Sequence, residues 1–345
     1  MVNASILQLS LSDPRWTTFL DSSPRTGIFH HPTWSQLLAE CYGYRPFIAA
    51  LQTAEGTLAA AVPLMEINSP ITGRRWVSLP FSDYCGALYT DETALKELVE
   101  GMLILAANNR ISRLELRGVY PTLPTLEVSS RHVIHEIDLT AGEQWVWNHT
   151  HPMHRRNIKT AQENDVKIIL GETTEHMADF FRLHLITRRR QGVPIQPWKY
   201  FEAMQRLLLE QEHGFLLLAY RNGQCLAGAI FLHNKETLTY KYGASLEDGL
   251  KYRPNNLLIW TAIQKGCAGG FSRFDMGRTD NENTGLRTFK SRWGAVETPL
   301  VYTSLKGGSN HIKDGGLMRY MNTVLQKSPT WVCRLTGELL YKHFG

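Results

Sequence analysis

One local pattern occurs twice in the chain, and this repetition limits the possible folds more than any other feature. Residues 47–64 contain two apolar runs on either side of Glu55–Gly56, which predicts a β-hairpin. Residues 215–232 repeat that shape around Asn222–Gly223, a dipeptide typical of tight hairpin turns. Two similar hairpins in one chain indicate an internal duplication.

The segments that follow each hairpin support the duplication. An amphipathic helix is predicted at 92–109 and again at 256–268. Each helix leads into a strand that contains Ser, Arg, an apolar residue and a carboxylate, first at 111–117 and then at 271–278. Because strands and helices interleave in both copies, we predict a mixed α/β fold of two similar units.

The same pattern gives domain boundaries. We predict a first domain over 1–140, a helical connector over 141–165 and a second domain over 166–310. A helical tail over 311–345, interrupted at Ser328–Pro329, is expected to pack back on the body.

Composition and charge limit the classes of function. Of the 345 residues, 43% are apolar, which is enough for full hydrophobic cores and excludes a wholly disordered chain. The net charge of +5 is uneven: residues 1–140 carry 10 Lys/Arg and 14 Asp/Glu, whereas residues 141–345 carry 27 and 18. This asymmetry favours an anionic partner for the C-terminal half, such as a phosphate-bearing substrate, a cofactor or RNA, with an ordinary solvated surface as the alternative.

Cysteine and histidine spacing argues against metal or disulfide chemistry. The five cysteines occur singly and form no C-x-x-C motif, which favours buried thiols in a reducing compartment. His149, His151 and His154 do not share one helical face, so we expect no metal site. No stretch approaches 18 apolar residues and no signal peptide is visible, so we expect a soluble, cytoplasmic protein.

Candidate site residues cluster in the second copy. Asp275 and Arg278 are predicted at the end of a buried strand, where they either contact a ligand or form an ion pair that fixes the next loop. They can share one cleft only if the chain turns at Gly277. Lys290 follows on a short helix at 284–291, where it either holds a positive charge at a site or lies on a solvated face.

Further candidates are polar or basic residues with weaker signals. On the predicted strand 237–244, Tyr242 could donate a hydrogen bond to an acyl carbonyl, and Asn256 is read as a helix N-cap in preference to a ligand. The remaining candidates for substrate binding are Arg155, Arg156 and Lys159 on one helical face, Arg188 at a helix end, and Asp83 and Tyr84 beside a cleft between the copies. For the basic residues, an exposed surface and a favourable interaction with the helix dipole are the alternatives.

The motifs point to one family. The run F-D-M-G-R-T-D-N-E-N-T-G-L-R-T-F-K-S-R-W-G-A at 274–295 resembles the signature of FemAB-like acyltransferases, which have two tandem GNAT-like (GCN5-related N-acetyltransferase) domains. Weaker matches occur at H-P-T-W, S-L-P-F-S-D-Y-C-G, H-R-R-N-I-K-T-A, Y-R-P-N-N-L-L and in the tail S-P-T-W-V-C-R-L-T-G-E-L-L-Y. The resemblance implies an acyl- or aminoacyltransferase that modifies an amino or hydroxyl group of a cell-envelope or polysaccharide precursor. It also implies that Lys290 takes part in substrate binding or catalysis.

The resemblance also bears on co-substrates and partners. It implies no tightly bound cofactor, an acyl donor that is aminoacyl-tRNA, acyl-CoA or acyl-carrier protein, and an anionic sugar or nucleotide-linked acceptor, with tRNA and the membrane surface as further partners and DNA as none. CoA-dependent GNAT enzymes cradle pyrophosphate on a glycine-rich loop, but residues 251–257 here contain a proline and no glycine. We therefore expect that CoA is not bound in that manner. An acyl-CoA enzyme and a non-catalytic binding protein on the same fold are the alternative functions.

Overall fold

The protein is described here by a computed structural model that covers residues 6–306 and 325–343. These residues divide into two compact units. The first holds residues up to 132 together with 299–306 and 343, and the second holds 133–298 and 325–342. Residues 133–140 and the predicted connector thus belong to the second unit.

The first unit is a sheet flanked by helices. The elements are β1 (Leu7–Leu9), α1 (Pro14–Ser22), α2 (Pro32–Tyr42), β2 (Arg45–Gln52), β3 (Leu58–Ser69), β4 (Gly73–Val77), β5 (Leu88–Tyr89), α3 (Glu92–Asn108), β6 (Leu114–Arg117) and parts of β7 (Leu126–Asp138) and β13 (Val296–Leu305). The β2–β3 hairpin is the predicted one, β4 lies antiparallel to β3, and β6 returns parallel to β4 after the long helix α3. The end of β13 pairs antiparallel with β6.

The second unit repeats this plan and adds helices. Its further elements are α4 (Glu143–His149), α5 (Pro152–Glu163), β8 (Lys167–Gly171), α6 (Thr174–Gln191), α7 (Trp198–Met204), β9 (Gly214–Arg221), β10 (Gln224–Asn234), β11 (Thr237–Ser245), α8 (Pro254–Ala268), β12 (Arg273–Asp280), α9 (Thr284–Ser291) and α10 (Thr330–Leu340). Strands β9 and β10 form the second predicted hairpin, β11 lies antiparallel to β10, and β12 returns parallel to β11 after helix α8.

Strand register confirms the duplication. In the first unit Trp76 pairs with Leu114, and in the second Leu238 pairs with Phe274. Leu114 and Phe274 each follow the Ser-Arg pair of their copy. The two motif strands therefore occupy the same place in their sheets.

Local sequence explains the start of helix α3 and the end of helix α6. Asp91 caps α3 by accepting hydrogen bonds at 2.9 Å from the backbone N–H groups of Thr93 and Ala94. Helix α6 ends at Gly192, which adopts a left-handed conformation with φ of +71°. Arg188 lies in the last turn of α6, where its charge suits the negative end of the helix dipole.

Some sequence expectations shift on comparison with the structure. Helix α8 begins at Pro254 instead of residue 256, because proline fits the first turn of a helix. Strand β12 continues to Asp280, so neither Asp275 nor Arg278 ends it. In the tail, α10 starts directly after Pro329 and packs on Ile195, whereas residues 317–324 lie outside the described part.

The described residues were compared with the requirements for a membrane span, a metal site and disulfide bonds. No helix within 6–306 or 325–343 is long and apolar enough to cross a membrane. Those residues also contain no group of three His, Cys, Asp or Glu side chains placed to hold a metal ion. All five cysteines are free thiols, and all except Cys267 are buried.

Candidate functional site

An opening between β11 and β12 marks the candidate site in the second unit. The two strands pair side by side for only three residues, and the last pair is Thr239 opposite Asp275. Both strands continue beyond that pair, to Ser245 and Asp280. The residues after Asp275 on β12 therefore lie at a divergent edge, where β12 no longer pairs with β11.

Strand β11 carries a bulge at the same level. In its pairing with β10, Ile230 lies opposite Tyr242 and Phe231 opposite Tyr240, so Lys241 is an extra residue. Tyr240 packs on Phe231 in the core, and its burial raises the pKa of its hydroxyl to about 12. In a regular strand, residues two positions apart face the same side of the sheet. Because of the bulge, Tyr242 and Tyr240 lie in different environments.

Tyr242 belongs to a buried polar network. Its hydroxyl lies 3.0 Å from that of Tyr200 and accepts a hydrogen bond from Gln196 Nε2 at 3.1 Å. His184 donates from Nε2 to Gln196 Oε1 at 3.1 Å, and burial lowers the pKa of His184 to about 3. The neutral imidazole thus fixes the amide of Gln196, which orients the Tyr242 hydroxyl. Sequence reasoning found Tyr242 but not its three partners, since they come from α6, the following loop and α7.

The predicted turn at Gly277 is present in β12. Gly277 has φ of +75°, a conformation that L-residues rarely adopt. The alternation of buried and exposed side chains shifts by one at this point, because Met276 and Gly277 are both buried. As a result Asp275 and Arg278 fall on the same face of the strand. Asp275 Oδ1 also accepts a hydrogen bond from the Gly277 N–H at 2.7 Å, which holds the turn.

Lys290 is buried against this turn. Its side chain donates from Nζ to the carbonyl of Gly277 at 2.7 Å and to that of Arg278 at 3.3 Å, and the residue is only 4% exposed. The alternative of a solvated helix face is therefore wrong for Lys290. Two carbonyl oxygens compensate part of the cost of burying the ammonium. Arg278 remains more exposed, with Nη2 at 4.0 Å from Asp280.

Three further titratable groups near Lys290 were not singled out from the sequence. Arg287 and Glu297 form a two-pronged ion pair at 2.7 and 2.8 Å, which lowers the pKa of Glu297. His135, whose side chain is fully buried, places Nε2 3.1 Å from Glu297. Burial lowers the pKa of His135, and the charge of Lys290 lowers it further. The cluster thus keeps His135 neutral beside two cations and a carboxylate.

His154 and Asn256 connect α5, α8 and α9. Asn256 was expected to be an N-cap, which is wrong: the cap position of α8 is Arg253, in a left-handed conformation, and Asn256 lies inside the first turn. Its amide instead donates to His154 Nδ1 at 3.0 Å, and His154 Nε2 donates to the carbonyl of Phe289 at 2.9 Å. Burial lowers the pKa of His154, which favours the neutral ring that this chain of bonds requires. The residue before Lys290 is thereby fixed.

The basic candidate residues lie in other parts of the second unit. Arg155, Arg156 and Lys159 are all on α5, and Arg155 lines a pocket between α4, α5 and α9, whereas Arg156 and Lys159 are exposed on the same helix. Arg188 donates to the carbonyl of Pro194 at 3.1 Å, which gives it a role in holding the loop after α6. The structure therefore brings Asp275, Arg278 and Lys290 together but places the basic residues elsewhere.

Asp83 and Tyr84 belong to the first unit, in the loop after β4. The carbonyl of Asp83 accepts a hydrogen bond from the Tyr302 hydroxyl at 2.6 Å, and the Tyr84 ring covers Gly86. Both residues are half-buried. Their role at a cleft between the copies stays a prediction.

The start of α8 offers little to a pyrophosphate. Pro254, at the first helical position, has no N–H, and the N–H of Asn256 bonds to the carbonyl of Arg253 at 3.2 Å. A phosphate cradle at a helix start needs several such N–H groups. The geometry thus agrees with the sequence argument against the usual CoA cradle.

Comparison with known proteins shows which family model and which solved structures resemble this fold. The family model described as "Acetyltransferase (GNAT) domain" matches residues 150–291. Among solved structures, FemX superposes with a TM-score of 0.69 at 15% identity, covering 86% of this chain and 96% of that one. A tandem GNAT protein from the clavulanic acid biosynthesis pathway gives a TM-score of 0.53 at 9% identity, covering 87% and 97%.

Two curated proteins are similar in sequence over part of the chain. A UDP-N-acetylmuramoylpentapeptide-lysine N(6)-alanyltransferase of Weissella viridescens is 23% identical over 130 residues, 38% of each chain. A Lipid II:glycine glycyltransferase of Staphylococcus haemolyticus is 33% identical over 85 residues, 23% of this chain and 20% of that one. The alignments thus span well under two thirds of these relatives. The chain has a mixed α/β fold of two tandem GNAT-like units, and it resembles the FemAB-like acyltransferases, as its motifs predicted.

Proposed function

We propose that this protein is an acyltransferase that moves an aminoacyl group from aminoacyl-tRNA to an amine of a cell-envelope precursor, in the cytoplasm. The observation that carries the proposal is the buried ammonium of Lys290, held at the divergent edge of β12 beside Asp275 and Arg278. This is the place where a GNAT-like sheet opens, and it is where the family signature of the sequence lies.

The reaction assigns each group a task. The amine of the acceptor attacks the ester carbonyl of the aminoacyl-tRNA, and negative charge develops on the carbonyl oxygen. The amide then forms as the ester C–O bond breaks, and the tRNA leaves with its ribose hydroxyl restored by the proton that the amine gives up. Lys290 supplies a fixed positive charge for that oxygen, in a site from which most water is excluded. Asp275 positions this charge indirectly, because it holds the Gly277 turn whose carbonyl Lys290 contacts. Arg278, more exposed on the same face, binds an anionic group of the acceptor.

The choice of donor rests on the start of α8. Pro254 and the internally bonded Asn256 N–H leave a poor cradle for the pyrophosphate of CoA. The two curated relatives are named for alanyl and glycyl transfer, which favours an aminoacyl donor for this chain. The same names support the acceptor class that we propose, a peptidoglycan precursor linked to a nucleotide or to a lipid.

The test is an aminoacyl transfer assay with the full chain. Radiolabelled alanyl- or glycyl-tRNA is mixed with UDP-N-acetylmuramoyl pentapeptide or with lipid II, and acetyl-CoA replaces the tRNA in a parallel reaction. We expect transfer from aminoacyl-tRNA, and no binding of acetyl-CoA in calorimetry. Transfer from acetyl-CoA alone would replace this proposal with the acyl-CoA alternative, and no transfer in any combination would favour a binding protein.

Variants of Lys290 test the assigned role. Lys290→Met should lower kcat by about a hundredfold or more, since it removes a charge that acts mainly in the transition state. Lys290→Arg should recover part of the rate, and Lys167→Met, an exposed lysine of the same unit, should leave it unchanged. Circular dichroism must show that each variant is folded. A Lys290→Met enzyme within about threefold of the wild-type rate contradicts the assignment.

A further inference from the structure

The steps assigned above leave one buried polar side chain near Lys290 unused, that of His135. It lies on the part of β7 that belongs to the second unit, and its side chain has no exposed surface. Among the described residues, neither ring nitrogen makes a well-aligned hydrogen bond, although Nε2 is only 3.1 Å from Glu297 Oε2. A buried polar atom without such a bond costs stability, so an apolar side chain would suit this place better if it only filled space.

A series of contacts leads from His135 to the helix that carries Lys290. Glu297 Oε2, the oxygen near the imidazole, also accepts a hydrogen bond from Arg287 Nε at 2.8 Å, and Oε1 accepts one from Nη2 at 2.7 Å. Arg287 and Lys290 are three residues apart on α9, so they are neighbours on the helix surface. The Glu297–Arg287 pair therefore helps to hold the turn of α9 from which the Lys290 ammonium reaches the carbonyl of Gly277.

The charges near His135 make its protonation state important. The elements next to the imidazole carry charged groups of the site: Lys290 and Arg287 on α9, Glu297 on β13, and Asp275 and Arg278 on the neighbouring β12. A neutral ring leaves the Glu297 oxygen to Arg287 and adds no charge beside Lys290. A protonated ring would compete with Arg287 for that oxygen and place a further cation next to Lys290, where little water screens the repulsion. Burial and the charge of Lys290 both lower the pKa of His135, which favours the neutral ring near pH 7.

We infer that His135 is a positioning residue for Lys290: the neutral imidazole fixes the Glu297–Arg287 pair and keeps the ammonium at the Gly277 turn, and a protonated imidazole displaces it. His135 acts through Lys290 and does not contact the substrate. The inference deepens the proposed function and rests on it for the rate measurement. The charge coupling between His135 and Lys290, in contrast, exists whether or not the protein transfers acyl groups, so it is tested separately.

The pH dependence of kcat in the transfer assay is the first test, measured between about pH 8 and 5 on variants that circular dichroism shows to be folded. The acceptor amine must lose a proton, so kcat falls with decreasing pH in every variant. In the wild type this fall should steepen below about pH 6.5, the ordinary pKa of histidine, because His135 then also takes up a proton. His135→Gln keeps an N–H donor for Glu297 but does not titrate, so the steepening should disappear. His213→Gln replaces a histidine of the same unit whose pKa is also lowered by burial, and it should keep the wild-type profile.

The rate at pH 7.5 separates the hydrogen-bond donor from the filled volume. His135→Leu removes the donor and should lower kcat about tenfold or more, with KM within about threefold of the wild-type value, since the lost contact acts through Lys290 in the transition state. His135→Gln should recover most of that loss. Identical pH profiles for the wild type and His135→Gln, or a His135→Leu rate within about twofold of the wild type, overturn the inference.

Titration of the histidine rings by NMR needs no activity and measures the coupling directly. The His135 signal of the full chain is identified by its absence from His135→Gln. Lys290→Met removes a neighbouring cation and should raise the pKa of His135 by about 0.5–1 unit, whereas Glu297→Gln removes the carboxylate and should lower it further. Lys167→Met, at an exposed lysine of β8, should leave it unchanged. A His135 pKa that neither Lys290→Met nor Glu297→Gln shifts overturns the inference, whereas opposite shifts without any transfer activity support the coupling and contradict only the proposed function.

Discussion

Two glycines near the candidate site should respond to alanine in opposite directions. Gly277 lies in β12 with φ of +75°, where an L-residue costs about 1–2 kcal/mol. Gly285 lies in the first turn of α9, and a Cβ added there would have no heavy atom closer than Asn283 Oδ1 at 4.0 Å. Alanine in a helix is favoured over glycine by roughly 0.5–1 kcal/mol, and this is an upper limit in a first turn.

We therefore expect Gly277→Ala to lower the free energy of unfolding by about 1–2 kcal/mol and Gly285→Ala to raise it by up to about 1 kcal/mol. For a unit of this size the first change lowers Tm by roughly 2–8 °C. Urea unfolding followed by tryptophan fluorescence reads the second unit well, because Trp260 and Trp293 are buried in its core.

The transfer assay adds a second readout for the same pair. Gly277→Ala should also reduce turnover, since the Gly277 carbonyl is an acceptor for Lys290 and must move if the turn relaxes. Gly285→Ala should leave turnover near the wild-type value. The reasoning is refuted if Gly277→Ala is as stable as the wild type, or if both variants shift the unfolding midpoint in the same direction by similar amounts.

Three other substitutions test the surrounding networks. Burial lowers the pKa of His184 to about 3 in the folded protein, against about 6.5 in the unfolded chain. The unfolded chain therefore binds the extra proton, and the free energy of unfolding falls as the pH drops below about 6.5, by at most about 1.4 kcal/mol per pH unit. In His184→Gln this part of the pH dependence should be missing from urea unfolding curves taken between about pH 7 and 5. Tyr242→Phe removes a hydroxyl that Gln196 contacts at 3.1 Å, so we expect a loss of about 1–2 kcal/mol in unfolding free energy, and a higher KM in the transfer assay if the hydroxyl also binds substrate. Glu297→Gln breaks a partly exposed pair with Arg287 and should cost only about 0.5–1 kcal/mol by urea unfolding; a loss above about 3 kcal/mol would show that the carboxylate holds more than this pair.

Where the signals are local, the sequence predicted the structure well. The Asn222–Gly223 turn has positive φ at both residues, as a tight hairpin turn requires. Helix α9 occupies the predicted range 284–291, and Asn283 caps its start by accepting a hydrogen bond from the Leu286 N–H at 3.1 Å. The turn at Gly277 was also predicted from one glycine between two polar residues.

Non-local contacts account for what the sequence missed. Strand β7 (Leu126–Asp138) begins in the first unit and ends in the second, and nothing in its own residues indicates which strands it joins. His135 comes to the site on that strand, so its position could not be inferred either. His154 was considered only as a metal ligand, whereas its actual partners, Asn256 and the Phe289 carbonyl, are more than 100 residues away.

Helix α9 shows how these separate contacts produce one site. A helix of 8 residues is too short to be stable alone, so its position depends on tertiary contacts. Three contacts fix it: Lys290 donates to the Gly277 carbonyl, Arg287 pairs with Glu297, and His154 donates to the Phe289 carbonyl. Each contact involves a different residue of this short helix, so we expect that loss of any one of them loosens the helix at Lys290. The position of the Lys290 ammonium therefore depends on contacts from β12, α5 and the start of β13, which are separate in the sequence.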